Sequence, residues 1–144
     1  MRLREVEDRD LDALFGHQAD PEAYELADVP TRDRAAFDAH WAQIRRSPQV
    51  VIRTIEVDGQ VAGHVLSWLR DDGVRLVGYW IGRELWGRGI ASAALAEFLT
   101  IVDEGPLQAT IAPPNTASRR VLEKNGFRLL REEPDSLVFE LARS

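Results

Sequence analysis

At 144 residues the chain has the length of one ordinary domain, 1–144, and its balance of 44% hydrophobic and 29% charged residues is that of a soluble globular protein. The absence of cysteine removes disulfides, thiolate nucleophiles and cysteine-based zinc sites together, and no metal is expected. A formal charge of −6 argues against nucleic acid or a membrane surface as partner; the charged start MRLREVEDRD does not read as a signal peptide, no apolar run is long enough to span a bilayer, and a cytoplasmic location is expected.

The segment RLREV (2–6) alternates and predicts a first strand, followed by a helix over roughly 10–18 with Leu11, Leu14 and Phe15 on one face. In DVPTRDRAAFDAHWAQI a second helix is expected, with Thr31 as its N-cap and Phe37, Trp41 and Ile44 at helical spacing. The period then changes to two. VVIRTIEV (50–57), VAGHVLSWL (61–69) and VRLVGYWI (74–81) are rich in β-branched and aromatic residues, and Asp58-Gly59 and Asp72-Gly73 separate them with hairpin-turn chemistry, which predicts an antiparallel meander.

From Gly89 to Val102 the stripe Ile90, Ala94, Leu95, Phe98, Ile101 and Val102 predicts a helix whose small residues suit close packing on a sheet. LQATIA (107–112) reads as the next strand. Asn115 then caps a helix that stops near Asn125-Gly126, and FRLLRE and SLVFELA form a last hairpin about Pro134-Asp135. The fold class is therefore α+β: a mixed, largely antiparallel sheet of about seven strands flanked by about four helices.

The stretch IGRELWGRGIASAALAEFL (81–99) joins a strand end, a loop with Gly82, Gly87 and Gly89, and a helix start. The first N–H groups of a helix have no internal partner and the helix dipole favours negative charge there, while glycine lets an anion approach the backbone closely. Two familiar phosphate motifs do not fit. A P-loop needs Gly-Lys-Ser/Thr and there is no lysine here; the dinucleotide fingerprint begins at Gly87 and Gly89 but meets Ser92 where its third glycine belongs, behind an antiparallel meander. Four arginines (Arg83, Arg88, Arg119 and Arg120) crowd two short segments in a chain whose one lysine is Lys124, which admits either a shared anionic ligand or a plain preference for arginine.

The second segment, IAPPNTASRRVLEKNGF (111–127), places Asn115 and Ser118 in the first turn of a helix. Together, GYWIGRELWGRGIASAAL and NTASRRVLEKNGF resemble the GNAT acetyltransferase superfamily, closest to its ribosomal-protein-alanine N-acetyltransferase branch. The resemblance implies acetyl-CoA as cosubstrate, with CoA as product. It implies that the backbone of Trp86, Gly87, Arg88, Gly89, Ile90 and Ala91, with Ser92, wraps the pyrophosphate, and that Arg88 adds a charge-assisted bond. It implies also that Trp80, Ile81 and Gly82 pair with the pantetheine amides in a gap where this strand splays from the next, and that Asn115 bonds the pantetheine arm.

The implied reaction is direct attack of a neutral primary amine on the thioester carbonyl, with a peptide N-terminus or small amine as acceptor and a homodimer left open. A backbone N–H near Ile81 is the expected oxyanion contact. Where many members carry a tyrosine acid this chain has Leu122, so Ser118 reads either as the donor to the sulfur or as an ordinary helix-start serine. VRLVGYWI holds no glutamate to act as base; Glu84 is the nearest acid, and Glu25 and Asp28 are candidates for the acceptor pocket. His64 reads as a core histidine and His40 as a residue beside the acceptor cleft. Tyr79 and Trp80 read as core, although strand period turns one of them to the cofactor side. The missing tyrosine and glutamate keep a second reading open, a catalytically silent acyl-CoA-binding module.

Overall fold

The computed structural model describes residues 1–21 and 32–143. In chain order, β1 (Arg2–Arg4) leads through a short 3-10 turn into α1 (Leu11–Ala19), then α2 (Arg34–Arg46), β2 (Val50–Val57), β3 (Gln60–Leu69) and β4 (Arg75–Ile81). A second 3-10 turn precedes α3 (Ile90–Ile101), followed by β5 (Leu107–Ile111), α4 (Thr116–Lys124), β6 (Arg128–Glu133) and β7 (Ser136–Leu141). The order matches the sequence reading. The seven strands form one sheet, β1-β2-β3-β4-β5-β7-β6, antiparallel throughout except where β4 meets β5.

The cap of α2 differs from expectation. Asp33 caps it, its carboxylate accepting from the Ala36 N–H at 2.8 Å, while Thr31 lies outside the described residues. Within the α3 stripe Ile101 turns outward, 39% exposed, while Val102 at the C-cap returns to the core. Arg143 takes up carbonyls at that end, donating to Leu99 at 3.2 Å, to Gly105 at 2.8 Å and to Val102. A cation at a helix C-terminus also complements the dipole.

Each face of the sheet buries its own core. On one, Val65, Val77 and Ile81 pack with Ala94, Leu95 and Phe98 of α3 and Leu122 of α4. On the other, Leu14 of α1 and Phe37 and Trp41 of α2 pack on Ile52. Beside this second core, Asp10 is 1% exposed and held by a bidentate pair with Arg4 (2.8 Å each), the Glu7 N–H and the Thr54 hydroxyl. Desolvation pulls its pKa upward, but these donors outweigh it and hold the carboxyl below its ordinary value.

β4 and β5 pair in register only at Leu76–Gln108; beyond it the two parallel strands diverge toward their C-terminal ends. The divergence leaves a gap in the middle of the sheet, between the start of α3 and the start of α4. That gap is the candidate site.

Candidate active site

A cleft of about 300 Å3 fills the gap. Its walls come from the end of β4 (Tyr79, Trp80, Ile81), the glycine loop and first turn of α3 (Trp86, Gly87, Gly89, Ile90, Ala91, Ser92) and the first turn of α4 (Asn115, Ser118, Arg120). Most of the residues singled out in the two sequence motifs are thus brought together. Glu25 and Asp28 lie outside the described residues.

The glycine loop owes its shape to two left-handed residues, Gly87 at φ 80° and Gly89 at φ 75°, with Arg88 between them. A side chain at either would be strained, and left-handed residues of this kind are the backbone feature from which anion-binding nests are built. Gly89 is the N-cap of α3, and no side chain caps this helix. The contrast with α4 is informative: there the Asn115 side-chain oxygen accepts from the Ser118 N–H at 3.2 Å. The α3 N-terminus therefore presents uncapped donors to the cleft, whereas α4 presents the remaining amide N–H groups of Asn115 and the Ser118 hydroxyl.

Strand geometry supplies the second set of groups. The Gly82 N–H donates to the Ala62 carbonyl of β3 at 2.9 Å, so by alternation the main-chain groups of Ile81 and Tyr79 face the opposite edge, into the gap. The Ile81 carbonyl there accepts from the Trp86 indole N–H at 2.9 Å. An extended amide chain laid along this edge would meet the remaining main-chain groups of Tyr79 and Ile81 as an added strand does.

Three expectations need correction, and the open question of the arginines is answered by their positions. Gly82 does not line the cleft: it is hydrogen-bonded to β3, and a Cβ on it would sit 2.7 Å from the His17 imidazole, so glycine is required there by packing against α1. Glu84 stands outside the cleft with its side chain 71% exposed, 4.0 Å from His17. Trp80 contributes to the wall, but its indole donates to the His17 carbonyl on the other face of the sheet. The arginine cluster is also dispersed. Arg83 pairs with Asp20 at 2.6 Å, Arg119 with Glu123 at 3.6 Å and over the Phe139 ring, and Arg88 is exposed off the lining, which leaves Arg120 in the wall.

Three residues take roles that the sequence reading left unassigned or open. Asn125, taken as a helix stop, donates to the Ser92 carbonyl and hydroxyl at 3.3 Å and to Val121, which ties the end of α4 to the first turn of α3, where Ser92 lines the cleft. His17 is buried against the loop; desolvation lowers its pKa despite Glu84, and its Nδ1 has no hydrogen-bond partner among the described residues. Tyr79 is the member of the Tyr79–Trp80 pair whose side chain reaches α4. Its hydroxyl crosses the gap and donates to the Ser118 carbonyl at 3.4 Å, and burial pushes the phenol up to about 12. Its parity with Ile81 was the available signal. His64 is buried as expected, packed edge-on against Trp41, with burial and the nearby His17 and His40 pushing its pKa down to about 3. His40 lies over the second core, on the wall of a separate cleft with Trp41, His64 and Trp68.

Comparison with known proteins agrees with this geometry. The uncharacterized N-acetyltransferase p20 of Bacillus licheniformis is 27% identical over 149 aligned positions, covering 92% of this chain and 83% of that protein. The crystal structure of a ribosomal-protein-alanine N-acetyltransferase from Brucella melitensis superposes with a TM-score of 0.83 at 20% identity, over 99% of this chain and all of the other. Mycobacterium smegmatis RimJ, solved in complex with CoA-disulfide, superposes with a TM-score of 0.78 at 26% identity, over 97% of this chain and 80% of its own. A family model described as the acetyltransferase (GNAT) domain matches residues 1–128. With the splayed strands, the uncapped helix and the glycine loop in place, the chain belongs to the GNAT acetyltransferase family and is an N-acetyltransferase.

Proposed function

We propose that this protein transfers the acetyl group of acetyl-CoA to a primary amine, either a peptide N-terminus or a small amine, by direct attack on the thioester. The observation that carries the proposal is the uncapped N-terminus of α3 opening onto a strand edge that β5 has left unpaired. A diphosphate needs several N–H donors converging on a small volume, and Gly87 to Ser92 supply them. The pantetheine amides run along Ile81 and Tyr79, and the Asn115 amide bonds the arm. The Ser118 hydroxyl donates to the sulfur, and a main-chain N–H near Ile81 receives the oxyanion. Acetyl-CoA supplies an activated acyl group; the protein aligns it and excludes water. The setting is cytoplasmic.

The cleft wall holds no carboxylate among the described residues, so an acceptor already partly neutral is favoured. An α-amine, with an ordinary pKa near 8, is roughly one-tenth neutral at pH 7, whereas a lysine amine lies about two and a half units higher. The test is kcat/KM against pH for a short peptide with a free N-terminus and for its N-blocked, lysine-containing counterpart. The α-amine should be faster at neutral pH, by up to about two orders of magnitude, with the rate following the amine's own titration. A preference for the lysine peptide would overturn the reading.

A further inference from the structure

We infer that Tyr79, delivered from β4 across the gap, gives the departing thiolate its proton, while the Ser118 hydroxyl only hydrogen-bonds the sulfur. The inference rests on reading the gap as the acetyl-CoA site. Chemistry sets the need: collapse of the adduct breaks the carbon–sulfur bond with its electron pair going to sulfur, and that charge requires a donor. The superfamily's tyrosine position in the second motif is Leu122 here, fully buried and without a polar atom. Residue 122 is four positions beyond Ser118, so in the helix its N–H points at the Ser118 carbonyl. The Tyr79 hydroxyl sits on that same carbonyl, at 3.4 Å. A phenol from the strand therefore arrives at the turn of α4 from which residue 122 projects.

Four further observations support the assignment. Tyr79 lines the cleft together with Ser118 and Asn115, and its hydroxyl lies at the backbone of Ser118, beside the space in which the pantetheine arm would end. The bond to Ser118 is long, and the carbonyl already serves the helix, so redirecting the hydroxyl to a sulfur gives up little. Of the three hydroxyls in the wall, those of Ser92 and Ser118 are alcohols, and the phenol is the stronger acid. Burial keeps it fully protonated at working pH, in the state a donor needs.

The step balances. The amine lone pair forms the nitrogen–carbon bond and the carbonyl π pair moves to oxygen; that pair then re-forms the carbonyl as the carbon–sulfur bond breaks. Tyr79 gives its proton to sulfur, and its phenolate takes up, through water, the proton shed by nitrogen. The products are the acetylated amine and the free thiol.

The experiment uses Tyr79→Phe, which keeps the ring that packs in the wall. Its first arm needs no acceptor: the thiol of bound CoA is titrated by its ultraviolet thiolate absorbance against a desulfo-CoA blank. A phenol donating to sulfur stabilises the thiolate, so the thiol pKa should rise by about one unit in Tyr79→Phe while the CoA Kd stays within about twofold. A ring-fluorinated tyrosine at position 79, a stronger donor, should lower that pKa below the parent's. Its second arm is single-turnover acetyl transfer, where kcat should fall roughly a hundredfold with the KM for acetyl-CoA unchanged. Identical thiol titrations in parent and variant would overturn the assignment, as would unchanged kcat. If the parent binds CoA but acetylates no amine offered, the acceptor reading fails and the thiol titration still decides the role of Tyr79.

Discussion

The loop before α3 offers a sharp test, because its geometry separates backbone strain from ligand approach. Gly89 has φ 75° and lines the cleft, and a Cβ built on it meets no atom within 4 Å. Gly89→Ala therefore causes no clash in the free protein. Its cost to folding is the left-handed conformation alone, about 1–2 kcal/mol, or roughly 2–8 °C in Tm for a chain of this size. The effect on the cofactor is separate. A methyl group at the helix N-cap would occupy space that a phosphate oxygen needs, and each charge-assisted bond lost costs about 1.5–3 kcal/mol. That converts to roughly a ten- to hundredfold rise in the CoA Kd.

Gly73 provides the control. It lies in the β3–β4 turn with φ 88° and also meets nothing within 4 Å, but it sits at the far end of β4 from the loop. Gly73→Ala should show the same loss of Tm and no change in CoA affinity. Differential scanning calorimetry and isothermal titration with CoA on both variants read the two effects. If Gly89→Ala binds CoA like Gly73→Ala, the loop is a turn and not a phosphate cradle, and the proposed binding geometry is wrong.

The other expectations concern the second wall and the fold beneath it. Asn115→Ala should raise the KM for acetyl-CoA more than it lowers kcat, and should cost about 1 kcal/mol of stability through the lost cap on the Ser118 N–H. Ser118→Ala should do the reverse, with kcat falling more than KM rises; equal small losses would return Ser118 to a purely structural role. Asp10→Asn breaks a buried pair with Arg4 and should cost roughly 3 kcal/mol, seen as a Tm lower by about 6–12 °C. Because the folded pKa of Asp10 lies below its unfolded value of 3.8, the stability it contributes is present above that pH and is lost as acid titrates the folded carboxyl. Acid unfolding of parent and Asp10→Asn should therefore converge below pH 3.8, and parallel curves throughout would refute the linkage.

Local patterns were enough for the element order. Period-two alternation, Asp-Gly turns, the Asn115 cap and the small-residue stripe of α3 are set by neighbours within a few residues, and these sequence-local forces place every strand of the meander within about a residue of where it lies. The glycine loop was legible for the same reason: a left-handed backbone beside a helix start is a local requirement that only a few residue types satisfy. What the sequence could not determine is everything that depends on two distant segments meeting. Gly82 looks like part of the loop in sequence but answers to His17 across the sheet, and Glu84 looks close to the chemistry but points to solvent. Tyr79 becomes a cleft residue only because β5 parts from β4 after Leu76, opening one edge that α4 then closes with Ser118. Strand divergence is a relation between β4 and β5, two segments that the whole of α3 separates in the chain. No short stretch of residues encodes it, so the gap, and with it the roles of the groups around it, is decided by the tertiary structure.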